Sequence, residues 1–329
     1  MSRFGLGAGL LAALGIAVIL GVRFGSVDLT TGEVLTALAG GGPEWQRQIV
    51  VELRLPRMLL GALVGGGLAL AGATFQALLR NPLAEPYILG ISGGASVGAV
   101  LVLALGLAGA ASWVLPLAAL AGALLAISLV FQVATASGKS LDVRVLLLAG
   151  VVVAAFFSAC VAFILSISEA RTVQGAVLWI MGSLAGVGWR SVVVAAAYTL
   201  PAAALLLVLA RPLNLMAIGE ETAHYLGADV ERVKRRALAL AALLTAAGVA
   251  VAGVIGFVGL VVPHTIRLLT GSDHRALLPL SFLGGATFLV LCDIASQVVL
   301  APTQVPVGVI TAFVGVPLFL VLLRRSLIP

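Results

Sequence analysis

Uninterrupted apolar runs of about 20 residues recur along the whole of this 329-residue chain, and that is the length a helix needs to cross a bilayer. In hydrocarbon every backbone polar group must find a partner inside the protein, so only helices and closed barrels span it. The runs are continuous rather than alternating, which favours a helical bundle over a barrel. Charged residues make up 10% of the chain, against about 25% in soluble proteins, and mean hydropathy is +1.20. The reading is an all-α polytopic membrane protein with about ten transmembrane helices. They fall near 4–23, 57–79, 90–110, 113–136, 144–167, 191–210, 237–256, 258–271, 279–299 and 306–323. The first run follows Met1-Ser2-Arg3 like a leader, but no small-residue cleavage site follows it, so it reads as the first span. The eighth run is interrupted by Pro263, so that span is short or its boundaries lie elsewhere.

Arginine and lysine orient the bundle. With the N-terminus inside, 13 of them fall on the inner side and 6 on the outer, a positive-inside bias that puts both termini in the cytoplasm. The inner group includes Arg3, Arg80, Lys139, Arg144, Arg232, Lys234 and Arg267; the outer includes Arg23, Arg47, Arg54 and Arg57. A pI of 10.1 could suggest nucleic acid, but the cations sit in short loops and form no stripe or arm.

One skeleton occurs twice. Gly67, Ala69, Ala71, Gly72, Pro82 and Gly90 recur 181 residues on as Gly248, Ala250, Ala252, Gly253, Pro263 and Gly271. The copies begin five crossings apart, at spans two and seven. Spans 2–5 and 7–10 are therefore expected to form an inverted repeat, with halves at about 57–167 and 237–323 of one transmembrane domain, 1–329.

Only residues 24–56 outside and 211–236 inside are long and hydrophilic. The inner segment has helical spacing, acids at Glu220 and Glu221, and a glycine stop at Gly227, so it reads as short amphipathic helices. So little soluble sequence cannot hide a catalytic domain. Ser137-Gly138-Lys139-Ser140 imitates a phosphate-binding loop but lacks its first glycine and its strand, and reads as a basic loop. Cys160 and Cys292 are isolated in apolar runs, and His224, His264 and His274 have no ligand spacing, so neither a metal nor a cofactor is implied.

Gly61, Gly65 and Ala69 share one helix face and predict close packing of span two. Asp293 is the only carboxylate read as lying well inside a span; it serves either proton coupling or, preferentially, a hydrogen bond to a neighbouring helix. Arg54 and Arg57 sit three apart at the outer mouth of span two. Two readings are open there: interfacial anchors, or a cationic patch for acidic groups of an external partner.

At its motifs the chain resembles the FecCD family, the permease subunits of bacterial ABC importers for iron–siderophores, heme and vitamin B12. The resemblance rests on Arg54-Leu-Pro-Arg57, Gly72-Ala-Thr-Phe-Gln76, Asn81-Pro-Leu-Ala-Glu-Pro86, Gly90-Ile-Ser-Gly-Gly94, Gly256-Phe-Val-Gly-Leu-Val-Val-Pro-His264, Asp273-His-Arg-Ala-Leu-Leu-Pro279 and Pro306-Val-Gly-Val-Ile-Thr-Ala312, in the family's order. It implies a homodimer in the cytoplasmic membrane, with two cytoplasmic ATPase subunits below and a periplasmic or lipid-anchored substrate-binding protein above. It implies that Arg54 and Arg57 dock the binding protein, and that Asn81 and Leu83 narrow the cytoplasmic end of the pathway. Glu220, Glu221, Ala223 and Gly227 match the segment seated on the ATPase. A further family arginine after the Asp293-Ile294 element is absent here, and the second gating segment near Asp142–Arg144 matches poorly. The alternative function is an ion-coupled secondary transporter, since inverted repeats serve both classes. Were the importer's cargo heme, a His or Tyr facing the pathway would be expected, and the spans offer little beyond Tyr87 and Tyr198.

The topology is testable by labelling. A cysteine replacing Asn81 is expected to react only from the cytoplasmic side and one replacing Trp45 only from outside; reaction of both from one side overturns the ten-span order.

Overall fold

The computed structural model describes residues 3–25, 27–136 and 141–327, so Lys139 and the Ser137–Ser140 loop lie outside the described residues. Among these the chain is helical throughout, without strands. A long apolar helix α1 (Arg3–Arg23) leads to the short α2 (Thr31–Leu38) and α3 (Glu44–Arg47). Thr30 and Glu33 close a capping box on α2, which fixes where it begins. A π-helical stretch, Gln48–Arg54, then runs straight into α4 (Leu55–Leu78). The bundle continues with α5 (Ile91–Ala104), α6 (Val114–Thr135), α7 (Val143–Ser166), α8 (Ala170–Ile180) and α9 (Trp189–Val208). It ends with α10 (Ala210–Ile218), α11 (Glu220–Tyr225), α12 (Val230–Ala252), α13 (Val258–Thr270), α14 (His274–Val298) and α15 (Val307–Leu327).

Seven helical stretches are long and apolar enough to cross a bilayer: α1, the one ending in α4, α6, α7, α9, α12 and α14. The shorter apolar α5, α13 and the Val307–Leu322 part of α15 coincide in position with the other three of the ten expected spans. Span seven starts earlier than hydropathy suggests. Asp229 caps α12 by accepting the Arg232 N–H, so about two polar turns precede the apolar part.

Span two is the axis of the bundle. Nearly all of α4 is buried against α14, α12, α13 and α9. Lipid provides no hydrophobic drive between helices, so close backbone approach has to supply the packing. The Gly61–Gly65–Ala69 face does this against α14: a Cβ on Gly65 would overlap the Gly285 carbonyl, and one on Gly285 would overlap Ala69.

The side chains sort the loops onto two ends. At one end Arg3 pairs with Asp273 at 2.7 Å and Asn214 donates to the same carboxylate at 2.8 Å. Asn214, the Arg275 N–H and Arg3 together hold that carboxyl at about 2. Arg80, Glu220 and Lys234 meet at this end too. At the opposite end Arg54 reaches the carbonyls of Val22 and Arg23, Arg57 reaches Asp293, and Trp189 donates to the Val51 carbonyl. The loops grouped by charge in the sequence are thus grouped in space.

The repeated unit is present but not in the register read from the sequence. Pro82 lies in the connection between α4 and α5, whereas its counterpart Pro263 lies inside α13. The helix–break–helix units are α4–(79–90)–α5 and α12–(253–257)–α13. Each break ends in a left-handed residue just before the second helix, Gly90 with φ 74° and Phe257 with φ 69°.

The second break runs inside the bundle. α12 lies antiparallel to α4, with Gly67 beside Leu244 and Val64, one turn back, beside Gly248. The end of α12 is bonded to Ser183, whose neighbour Leu184 abuts Gly61, yet α13 begins opposite Gly72. Residues 253–257 therefore carry the chain back by roughly three turns of α4, about 16 Å, which five extended residues can just span. Span eight is accordingly a short helix preceded by extended backbone. Gly72 admits this arrangement because its α-carbon faces the Gly259 carbonyl, where any Cβ would collide. Gly72→Ala is expected to lower stability by about 1–3 kcal/mol through overpacking, measured as a downward shift of the melting midpoint in detergent.

Candidate functional site

Extended backbone in an apolar interior needs partners, and polar side chains of the 76–87 region supply them. The Tyr87 hydroxyl accepts the Ile255 N–H at 3.1 Å and donates to the Ile255 carbonyl at 3.0 Å. Glu85 accepts the Phe257 N–H at 2.8 Å. Pro263 has no N–H to give the Gly259 carbonyl four residues back, and the Gln76 amide donates to that carbonyl instead, at 3.3 Å. Glu85 is thus a second acid inside the bundle, beside Asp293. It went unrecognised in the sequence because Asn81–Pro86 looks like an ordinary polar loop. Tyr87, offered as a heme-facing side chain, is committed to backbone, and the Tyr198 hydroxyl likewise donates to the Ala247 carbonyl at 3.0 Å.

Asn81 and Leu83 form the exposed tip of the same loop. The Asn81 carboxamide accepts the Leu83 N–H at 2.9 Å, an Asx turn that stiffens the tip, and Leu83 is exposed. Loop and tip are one connected piece.

At the Arg54 end the sequence leaves two arginines as interfacial anchors or a docking patch at the mouth; the structure buries both. Arg54 is 7% exposed and binds backbone carbonyls of Val22, Arg23 and Val27. Arg57 is 9% exposed and makes a fork on Asp293, both bonds at 2.8 Å, with a third bond to Gln304 at 3.0 Å. Asp293 is fully buried and also accepts from Gln297 at 2.9 Å. The structural reading of Asp293 therefore holds, and its partner is Arg57. A cavity of about 230 Å³ opens beside both arginines, lined also by Leu53, Leu184, Val187 and Gln297.

At the opposite end α10 and α11 form the expected pair of short helices. Glu220 ties them to the bundle: it accepts Lys234 and lies 3.5 Å from Arg80, which itself donates to the Met216 carbonyl. Glu221 is exposed, as are Ile218 at 71% and Tyr225 at 81%. Gly227 closes α11 with φ 86°, the left-handed stop its sequence position predicts. Ala223, matched to the segment seated on the ATPase, would there be expected to face the partner, and the structure corrects this. Its side chain is fully buried in this chain's own core rather than facing outward, so a bulky residue there would disrupt α11 before it met any partner.

His264 lies against Phe319, with ring centroids 6.5 Å apart, and neither of its nitrogens has a partner among the described residues. No cluster of metal-ligating side chains occurs among the described residues.

A membrane-embedded helical bundle with two ends of distinct polar chemistry and a paired break at its centre is the architecture of a transport protein. Residues 13–325 match the model of the FecCD transport family, and the chain belongs to that family. It is 46% identical over 284 residues to the cobalamin import system permease protein of Halobacterium salinarum, covering 86% of this chain and 75% of that protein. It is 44% identical over 287 residues to the hemin transport system permease protein of Yersinia pestis, covering 84% of each. A solved inward-facing metal-chelate type ABC transporter superposes with a TM-score of 0.87 at 32% identity, over 98% of this chain and 99% of that one.

The Arg57–Asp293 pair makes a sharp energetic expectation. Removing one partner strands a buried charge, so Arg57→Met or Asp293→Leu alone should cost about 3–5 kcal/mol, whereas the double substitution should recover most of it. Thermal unfolding of the four proteins in detergent measures the cycle.

Proposed function

We propose that this chain is the permease subunit of an ATP-driven importer in the bacterial cytoplasmic membrane, working by alternating access. The observation that carries the reading is family membership together with a pair of cytoplasmic helices, α10 and α11, that present Ile218, Glu221 and Tyr225 outward. An exposed apolar and acidic surface of this kind suits a protein partner, and the partner is a separate ATPase subunit, present in two copies. Positive-inside bias puts this end and both termini in the cytoplasm.

The Arg54 mouth then faces the substrate-binding protein. Among the described residues Arg54 hydrogen-bonds to backbone carbonyls and feels the charge of Asp28 without a direct ion pair, so its positive charge favours acidic groups arriving above it. Arg57 shapes the mouth through Asp293. Asn81 and Leu83 close the pathway at the cytoplasmic end. The whole chain, 1–329, acts as one domain in which the halves 57–167 and 237–323 interlock, with 211–236 as the coupling segment.

Two copies pair about the pathway. The exposed apolar face of α15, with Phe313 at 74%, borders a hollow of about 550 Å³ lined by Met181, Val254, Val309, Ala312 and Val316, a surface suited to a second copy. The cargo is a bulky iron chelate, heme or cobalamin. Relatives of nearly equal identity carry names for different members of this set.

Uptake in proteoliposomes tests the reading. Accumulation should require both ATP and the ATPase subunit, and accumulation driven by an ion gradient alone would overturn it. Gly227→Val should leave the permease folded but uncouple it. That position is open in space, so the penalty is the left-handed backbone, about 1 kcal/mol or more, at the end of α11.

A further inference from the structure

The gate loop is held by both halves of the molecule: its end packs on α7, where a Cβ on Gly150 would meet the Ile88 carbonyl, while Glu85 and Tyr87 reach across to the second repeat. Its tip, Asn81–Leu83, is followed within four residues by the two side chains that satisfy the unwound backbone of the second repeat. Tyr87 holds Ile255 through two hydrogen bonds and Glu85 holds the Phe257 N–H. Between tip and clasp the loop is stiff. Pro82 and Pro86 restrict its backbone, the Ala84 N–H bonds the Asn81 carbonyl, and the Ile88 N–H bonds the Glu85 carbonyl, both at 3.1 Å. The segment 253–257 is in turn pinned from its other side. The Ser183 N–H bonds the Ala252 carbonyl at 2.8 Å, the Val307 N–H bonds the Gly182 carbonyl at 3.1 Å, and Gly308, at the start of α15, has no room for a Cβ beside the carbonyls of Met181 and Val254. A continuous chain of short contacts therefore runs from the gate tip, through Glu85 and Tyr87, across residues 253–257, to the first turn of α15.

We propose that Glu85 and Tyr87 are positioning residues that couple the Asn81–Leu83 gate to residues 253–257 and the start of α15, so that the gate moves with the second repeat. The proposal rests on the reading of Asn81 and Leu83 as the gate. Its logic is that of a stiff lever. The bonds are too few to hold the bundle together, since α4, α12, α13 and α14 pack extensively without them, but with the Gln76 amide, which bridges the Ala84 carbonyl to those of Gly259 and Leu260, they tie the loop to the second repeat. Cutting them leaves a folded permease whose gate no longer follows its other half.

The test uses the full complex of permease and ATPase subunit in proteoliposomes, carrying Tyr87→Phe, Glu85→Ala, both together, or Glu85→Gln. ATP hydrolysis, uptake per ATP and melting midpoint are measured for each. Tyr87→Phe removes both bonds to Ile255, and Glu85→Ala removes the bond to Phe257. The double variant is expected to keep its hydrolysis and stay folded, with its melting midpoint lowered by a few degrees, while uptake per ATP falls about tenfold or more, the scale of losing three hydrogen bonds. Glu85→Gln retains an oxygen able to accept the Phe257 N–H and should restore the ratio. Loss of hydrolysis, uptake and melting midpoint together would make the clasp merely structural and overturn the proposal, as would unchanged uptake per ATP. A parallel arm follows thiol labelling of Leu83→Cys, in a Cys160→Ala, Cys292→Ala background, with and without ATP. If its reactivity ignores ATP in the otherwise unaltered complex, the gate reading falls and this proposal with it. If reactivity cycles normally both there and in the double variant, the gate stands and the clasp alone is overturned.

Discussion

A backbone that leaves its helix inside an apolar bundle must be given hydrogen-bond partners, and much of this structure follows from meeting that demand at residues 253–260. Four features serve it together. Gly72 lets α13 approach, Gln76 replaces the donor that Pro263 lacks, and Glu85 and Tyr87 bind the strand-like stretch before it. All four lie between the second half of span two and the loop after it, so one repeat supplies the polar groups that the other's break requires. Small residues make the close approach possible, and polar side chains make it affordable in a medium without water.

Charge is handled by the same economy. The bundle buries a fully formed ion pair, Arg57 with Asp293, at one end, and leaves Asp273 half in water between Arg3 and Asn214 at the other. The buried pair joins span two to span nine and shapes a mouth beside Arg54, which the carbonyls of Val22, Arg23 and Val27 hold in place. The exposed pair pins the N-terminal helix to the loop before α14. Glu220, meanwhile, ties α11 to Arg80 and Lys234, so the short helices proposed to meet the ATPase are joined directly to the end of span two, next to the loop proposed as the gate.

Sequence reading performed well wherever the governing physics was local. Hydropathy placed ten apolar segments within a few residues of ten helices, and the start of α12 was missed only because its first two turns are polar. Gly227 was legible because ending a short helix in the left-handed region calls for glycine. The Gly61–Gly65–Ala69 face was legible because four-residue spacing puts small residues on one side of a helix. The 181-residue register misled because glycine, alanine and proline recur for several reasons. Pro82 stiffens a loop while Pro263 interrupts a helix's hydrogen bonding, and identity of type concealed that difference. The short amphipathic α8 was not anticipated, since eleven residues between two spans carry too weak a pattern.

By itself the sequence determined the class of molecule, its membership of a family of permeases, the placing of its apolar segments and the position of the short helices between α9 and α12. These follow from length, hydrophobicity and motif order, which act over a few turns of helix. Only the tertiary structure decided that Arg57 belongs to Asp293, 236 positions away, that Ala223 points into its own core, and that Glu85 and Tyr87 serve the opposite repeat. Which charge meets which, and which face of a six-residue helix is covered, depend on how distant helices pack, and no local pattern of residues encodes that.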